Sequence, residues 1–275
     1  MDIQADLSVC TVTRKPDHNL KRLLTSVYQA SDPVSVEVIV VDISAAGENS
    51  AILDQFPELI IYLLPGFDNL VAAQNRAMSM ATGRYISLLD NDVVCTPDCF
   101  TKLLTFLDDT PDVGIAGPRI TNAYGASEPS CRRFFSPLSL LATYTPLGRL
   151  SWGRALKERH CMLGFKHDQD MEVDWICGGA HMIRKEVVEE IGFLDEGLAQ
   201  PFAEQDYCLR VRQSGWHNFY CHQGEIIHTN PCRYHLELQE PMPGWQVFLQ
   251  SNRYLSKKWT HALRQPTYSH PTQTG

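Results

Sequence analysis

Short apolar, β-branched runs alternate with stretches of helical period through the first hundred residues, and this alternation narrows the fold more than any other feature. It is the pattern of βαβ units, in which a largely parallel sheet is covered by its own crossover helices. Leu7–Val12 reads as a first strand, followed by a helix from His18 to about Tyr28 with Asp17 as its N-cap. Val36–Val41, interrupted only by Glu37, fits a strand buried on both faces. Leu59–Leu63 is a third strand, and Leu70–Met80 a helix expected to end at Gly83 as its C-cap. Tyr85–Leu89 is a fourth strand that runs directly into Asp90-Asn91-Asp92. Thr96-Pro97 then opens a helix reaching about Asp108, with proline at the first helical position.

The stretch from about Pro118 to Met171 loses this periodicity. Regularity returns with a strand at Glu172–Cys177, a Gly178-Gly179 turn, a strand at His181–Arg184 and a helix over Lys185–Ile191. A helix over Glu204–Ser214, strands at His217–Cys221 and Glu225–His228, and an amphipathic helix at Trp245–Trp259 follow. The last ten residues read as a polar tail. The expected organisation is an α/β domain over 1–235, with a nucleotide-binding half to about 117 and an acceptor-binding half from 118. A helical extension over 236–265 and a disordered tail over 266–275 complete it.

A chain of 275 residues with 44% hydrophobic content can bury a large core. Its formal charge of −8 excludes nucleic acid as the main partner, because binding a duplex requires a basic face to neutralise phosphates. The charge is uneven: residues 131–167 carry seven basic side chains and one acid, Glu158, leaving −14 for the remainder. The nine cysteines show no paired CxxC spacing, so reduced thiols are expected. No apolar run approaches the roughly 18 residues of a spanning helix, which points to the cytoplasm, with peripheral contact at the inner face of a membrane left open.

In open α/β sheets ligands sit beyond the carboxyl ends of the strands, which directs attention to Thr13, Arg14, Asp42 and the Asp90–Asp92 pair. Two carboxylates one residue apart at the end of a buried strand are costly unless a cation is bound. Magnesium or manganese, held by one or two carboxylates and substrate phosphates, meets that need; acids that cap the next helix would explain the same residues. Gly178 and Gly179, next to Trp175, allow backbone to approach a sugar or phosphate, or simply form a turn. Cys221, His222, Cys232 and His235 do not fit a zinc-site spacing.

Five blocks, VIVVDIS (38–44), AAQNRAMSMATGRYISLLDNDV (72–93), VDWICGGAHMIRKEVVEEIGFLDE (173–196), AEQDYCLRVRQSGW (203–216) and EIIH (225–228), resemble in order and spacing the successive motifs of family 2 glycosyltransferases, including many rhamnosyltransferases. The resemblance covers roughly Leu7 to His228. It implies the GT-A fold, a mostly parallel mixed central sheet flanked by helices. It implies a nucleoside-diphosphate sugar donor, with dTDP-rhamnose or a UDP-hexose as first guesses, a glycan or lipid-linked acceptor, and a Mn2+ or Mg2+ cofactor. By the same resemblance Asp42 would contact the base, bordered by Thr13 and Arg14, where Arg14-Lys15 replaces the family's usual Tyr-Asn. Gln74-Asn75 stands where the family has Arg-Asn before the DxD. Asp90 would face ribose and diphosphate, while Asp92 would ligate the metal, with His228 as a further ligand. An inverting transfer needs a base for the acceptor hydroxyl. The family's Glu-Asp-x-Asp aligns with Ala203-Glu204-Gln205-Asp206, making Glu204 the expected base and Asp206 the fallback.

Two other readings accompany this one. YISLLDNDVV also fits the strand-plus-DxDxV pattern of haloacid-dehalogenase-like phosphatases, in which Asp90 would be a phosphoryl nucleophile. A GT-A module with a decayed site would account for Gln74, Ala203 and Arg14-Lys15. The basic, aromatic-rich segment 131–159 is a candidate peripheral membrane contact. The C-terminal helix is a candidate homodimer contact.

Overall fold

A computed structural model describes residues 5–14, 18–45, 48–134, 138–139, 142, 146–176 and 179–229. Eight strands form the main path of a mixed sheet in the order β3-β2-β1-β4-β11-β6-β12-β5. These are β1 Leu7–Thr13, β2 Val36–Asp42, β3 Ile60–Leu63, β4 Tyr85–Leu89, β5 Val93–Cys95, β6 Val113–Asn122, β11 Ala180–Arg184 and β12 His217–His228. Short strands β7 Ser127–Glu128 and β9 Met171–Glu172 extend it beside β6 and β12. β8 Cys131–Arg132 and β10 Trp175–Ile176 pair as a separate ribbon. The helices are α1 His18–Ala30, α2 Ser50–Leu53, α3 Leu70–Met80, α4 Cys99–Asp109, α5 Ser151–His160, α6 Lys185–Ile191 and α7 Phe202–Gln213, with a 3₁₀ turn at Pro146–Arg149.

Alternation along the strands explains the layers. Leu7 and Val9 of β1, with Val38 and Val40 of β2, face α1 and α4 through Leu20, Leu24, Phe100 and Leu103. Cys10, Ile39 and Val41 face the other way, towards Ala73 and Ala77 of α3 and the α6–α7 layer. Each strand therefore reads as a nearly unbroken apolar run, as expected for a sheet covered on both sides. β1, β2, β3 and β4 are mutually parallel, while β11 enters antiparallel between β4 and β6.

Several sequence-based boundaries shift. The helix expected from Thr96-Pro97 begins at Cys99, because Val93–Cys95 first forms β5 along β12. The strand expected over Glu172–Cys177 is two short pairings, β9 on β12 and β10 on β8, with Cys177 outside the described residues. The two strands expected at His217–Cys221 and Glu225–His228 are one, β12, carrying a register shift between Cys221 and Glu225. β6 lies within residues whose glycines and proline conceal a strand. At Gly117 a Cβ would lie 2.6 Å from Ile176 Cγ2, so the bare backbone admits the β10 side chain. Pro118 sits opposite Cys221, where the β12 register shift begins, so the missing N–H falls at an irregularity. Because β6 crosses residues 117 and 118, the two expected halves share one sheet. The N-cap Asp17, the 245–259 helix and the 266–275 tail lie outside the described residues.

Gly83 is not the C-cap of α3; Ala81 is. A Cβ at Gly83 would lie 2.7 Å from the Ser8 backbone nitrogen and 2.9 Å from the Leu7 carbonyl carbon. The residue is small because the chain crosses β1 at contact distance. Gly83→Ala is therefore expected to destabilise the fold by about 2 kcal/mol, since two of the three atoms it meets are backbone and cannot rotate away. Urea unfolding measures this, and an unchanged midpoint would show that β1 yields without cost.

Candidate active site

The pairing of β5, β6 and β12 assembles the acidic rim. β5 follows Asp92 directly, and its register on β12 sets Val93 opposite His228. Thr229 donates to the Asp92 carbonyl from its backbone N–H at 2.8 Å and from its hydroxyl at 2.7 Å. As a result His228 Nε2 lies 3.4 Å from Asp92 Oδ2. β6 carries β7 on its other flank, and β7 brings buried Glu128 to His228, with Oε2 3.0 Å from Nδ1. Burial opposes protonation of His228, but its bonds to Asp92 and Glu128 override this and push its pKa up to about 9.

Asp90 ends β4 beneath Gly179. Its backbone N–H donates to the Gly179 carbonyl at 2.8 Å, and a Cβ on Gly179 would lie 2.1 Å from Asp90 Oδ2. Burial, reinforced by the charge of Asp92 and offset by His228, pushes the Asp90 pKa up to about 6. Glu204, in the first turn of α7, is pushed up to about 8 by burial and then by the charge of Asp90. Asp90 is thus coupled on one side to Asp92 and His228 and on the other to Glu204. A narrow cleft lined by Cys10, Val12, Leu70, Gln74 and Leu88 opens onto Asp90.

At the ends of β1 and β2, Thr13 and Asp42 are neighbours in register. The buried Asp42 carboxylate accepts from Ser44 N–H at 2.9 Å and from Asn49 Nδ2 at 3.1 Å. Asn49, unmarked by any motif, is fully buried and fixes that carboxylate. Arg14 is exposed at the same rim; Lys15 and Gly178 lie outside the described residues.

Other residues singled out in the sequence support the structure. Asn75 donates to the Leu194 carbonyl and Glu196 Oε1, both at 2.9 Å, and accepts from Leu194 N–H at 3.0 Å, clipping α3 to the loop after α6. Gln74 accepts from Gln200 Nε2 at 3.1 Å. Trp175 is buried and donates its indole N–H to the Arg133 carbonyl at 3.0 Å. Asp206, fully buried, pairs with Arg210 at 2.9 Å, and that guanidinium also holds the Ile191 and Phe193 carbonyls. Glu128, four residues before the basic segment's Arg132, carried no motif; only the β6–β7 pairing reveals it.

Among the described residues no group of three or more His, Cys, Asp or Glu side chains forms a ready-made metal cage. The Asp92–His228 pair nevertheless suits manganese or magnesium in its chemistry. One carboxylate oxygen faces one imidazole nitrogen whose ring is oriented from behind by a carboxylate, the outer-shell arrangement of metal-ligating histidines. His222, within the sequence's zinc-tempting set, is instead paired with Asp170 at 2.7 Å. The seven described cysteines are free thiols.

Gly179 has φ +66°, so a side chain there meets both backbone strain and the Asp90 carboxylate. Gly179→Ala is expected to reduce turnover by about 100-fold or more while the fold persists, because Asp90 must move to admit the methyl. Kinetics alongside circular dichroism would test this; wild-type turnover would separate Gly179 from the reacting groups.

Residues 8–192 match the sequence profile of glycosyl transferase family 2. The chain is 24% identical over 262 residues to the low-salt glycan biosynthesis hexosyltransferase Agl10 of Haloferax volcanii, an alignment covering 92% of this chain and 77% of that protein. It is 23% identical over 205 residues to the uncharacterized protein y4gI of Sinorhizobium fredii, covering 73% of this chain but only 21% of y4gI. In structure it resembles S. aureus TarS 1–349 (TM-score 0.60, 14% identity, 93% of this chain and 66% of that one). It likewise resembles the mannosyltransferase PcManGT of Pyrobaculum calidifontis, solved with GDP-Man and Mn2+ (TM-score 0.58, 16% identity, 98% and 67%). GalNAc-T7, solved with UDP, GalNAc and Mn2+, is a third neighbour (TM-score 0.63, 16% identity, 94% and 50%). The chain thus spans about a fifth of y4gI and just under two thirds of TarS 1–349. The phosphatase reading is overturned, since the profile begins at β1 and the strand carrying Asp90 is the fourth of the sheet rather than the first of a domain. With its GT-A sheet, its strand-end acids and a profile match across most of its length, the chain belongs to glycosyl transferase family 2.

Proposed function

We propose that this chain is an inverting glycosyltransferase that moves a sugar from a nucleoside-diphosphate donor to a hydroxyl of a glycan or lipid-linked acceptor. The observation that carries the reading is the placement of the strand-end acids: β5 and β12 set His228 Nε2 3.4 Å from Asp92 Oδ2, and the Gly179 backbone lies against the neighbouring Asp90 carboxylate, whose charge also acts on Glu204. An acid pair at one point and a separate carboxylate within reach of it are what donor activation and acceptor deprotonation require.

In this reading Asp42, fixed by Asn49, receives the base, with Thr13 and Arg14 beside it, and Asp90 faces the ribose and diphosphate. Asp92 and His228 would hold a manganese or magnesium ion, with Glu128 orienting the imidazole. Bound there, the ion supplies Lewis-acid neutralisation of the departing diphosphate. Glu204 takes the proton of the acceptor hydroxyl as that oxygen forms its bond to the anomeric carbon; the bond from that carbon to the diphosphate oxygen breaks, and the electron pair leaves with the nucleotide. The Gly179 backbone lies against Asp90 and bounds that carboxylate on one side. Asp206 remains the structural partner of Arg210, which leaves Glu204 as the base. The hexosyltransferase name of Agl10 and the nucleotide-bound neighbours support a nucleotide-sugar donor, for which dTDP-rhamnose and UDP-hexoses are the first to test. Among the described residues no helix is long and apolar enough to cross a membrane.

Transfer or donor hydrolysis is expected to require a divalent metal, and Asp92→Ala to lower kcat/KM by about 1,000-fold. Full turnover by the variant in EDTA would remove the metal from the scheme, and metal-independent nucleotide binding without turnover would favour a decayed GT-A module.

Glu204→Gln is expected to keep donor affinity in calorimetry while lowering kcat by about 100- to 10,000-fold. A base works deprotonated, and Glu204 loses its proton only as pH rises through about 8. In the wild type kcat/KM should therefore climb roughly tenfold per pH unit below that value and level off above it. An acid limb in the ordinary carboxylate range would assign the base elsewhere.

A further inference from the structure

We infer that the 3₁₀ turn Pro146–Arg149 and the opening of α5 form a docking surface for an anionic lipid bilayer. The inference deepens the proposed function, since a lipid-linked acceptor resides in such a bilayer, and rests on that reading for its purpose.

Leu138 (60% exposed), Leu147 (38%), Leu150 (47%) and Trp152 (44%) show large apolar side chains to solvent within fifteen residues of sequence. Local packing keeps them outside. A Cβ at Gly148 would lie 2.1 Å from the Ala142 carbonyl oxygen, and one at Gly153 2.2 Å from the Leu147 carbonyl oxygen. The turn and the helix therefore pack backbone against backbone, with no space between them for a leucine or tryptophan. Leu147 and Leu150, three apart at a 3₁₀ turn, project from one side. Along α5, Gly153 and His160 are buried, whereas Trp152, Ala155 and Arg159 form an exposed stripe at helical spacing.

Charge identifies the occupant. Arg149, Arg154 and Arg159 are exposed beside these apolar groups, and residues 146–160 carry four basic side chains and one acid, Glu158, a net +3 in a chain whose remainder carries −11. An anionic surface attracts this face and repels the rest, so charge alone orients the molecule. Tryptophan and arginine at the edge of an apolar patch suit the headgroup level of a bilayer. A second copy of the chain fits poorly, because a two-fold contact would set the arginines against themselves. The unit is also tied to the site's framework. Arg133 N–H donates to the His160 carbonyl at 2.9 Å, and the Arg133 carbonyl holds Trp175 on β10, the strand that leads to Gly179 and Asp90.

The test is co-sedimentation of the full chain with vesicles of phosphatidylcholine alone or mixed with phosphatidylglycerol. The wild type should bind the mixed vesicles and release as salt rises. Leu150→Ala with Trp152→Ala should weaken binding by about tenfold or more, and Arg149→Gln with Arg154→Gln by about 25-fold, from roughly fivefold per cation near such a surface. Leu63→Ala, at an exposed apolar position on β3, should bind as the wild type does. Hydrolysis of the water-soluble donor by all these variants should match the wild type, so loss of vesicle binding and failure of the catalytic reading are read separately. Equal binding to both vesicle types, no binding to either, or a concentration-dependent dimer abolished by the same substitutions would each overturn the inference.

Discussion

The arrangement rests on repulsion contained at one place. Asp90, Asp92 and Glu204 gather negative charge at the carboxyl end of β4, where burial makes each charge dearer to hold and each repulsion stronger than in water. His228 answers part of that charge, with Glu128 behind it. Such a cluster adds nothing to stability on its own terms, and a fold maintains it only if the surrounding framework is rigid enough to prevent the acids from separating. The framework here is the sheet. β4, β12 and β5 are locked by backbone pairing, α7 by the Asp206–Arg210 anchor, and the 179 backbone closes over Asp90.

Parallel strands and amphipathic helices were legible because they write their burial into residue order. Leu70–Met80, Tyr85–Leu89 and Lys185–Ile191 coincide with their sequence-based limits for that reason. β6 was not legible, because the features that make it fit, bare glycines under Ile176 and Trp216 and a proline at a register shift, are those that mark loops elsewhere. Missing β6 and β5 also hid Glu128, whose approach to His228 is created entirely by non-local pairing. Local periodicity reports which face of a segment is buried; it does not report which distant segment lies beside it.

The same limit applies within the site. Asp42, Asp90, Asp92, Glu204 and His228 are polar residues at the ends of strands or at the start of a helix, positions that a pattern can mark. Asn75, Trp175 and Asp206 lie in equally conspicuous blocks, yet the structure uses them as fasteners. Asn75 spends both ends of its amide on the loop at 194–196, and Trp175 its indole N–H on a backbone carbonyl. A motif records that a residue type is needed, and only the partner atoms tell whether it is needed for binding or for holding the binders in place.

That distinction explains how the chain tolerates its departures around the expected base. Ala203 stands fully buried where the family has a glutamate, so no carboxylate precedes Glu204 in the helix. The carboxylate at 204 is instead one methylene longer than the family's aspartate. A longer arm is harder to hold in one rotamer, and a first helical turn with a single exposed anchor would leave it loose. Here the rest of α7 is pinned on several sides: Asp206 by Arg210, Tyr207 by its hydroxyl on the Gly192 carbonyl, and the Cys208 carbonyl by Asn218. With the backbone immobilised, freedom at position 204 is confined to its own side chain. The fastening of α7 thereby supplies the order that the longer carboxylate arm lacks.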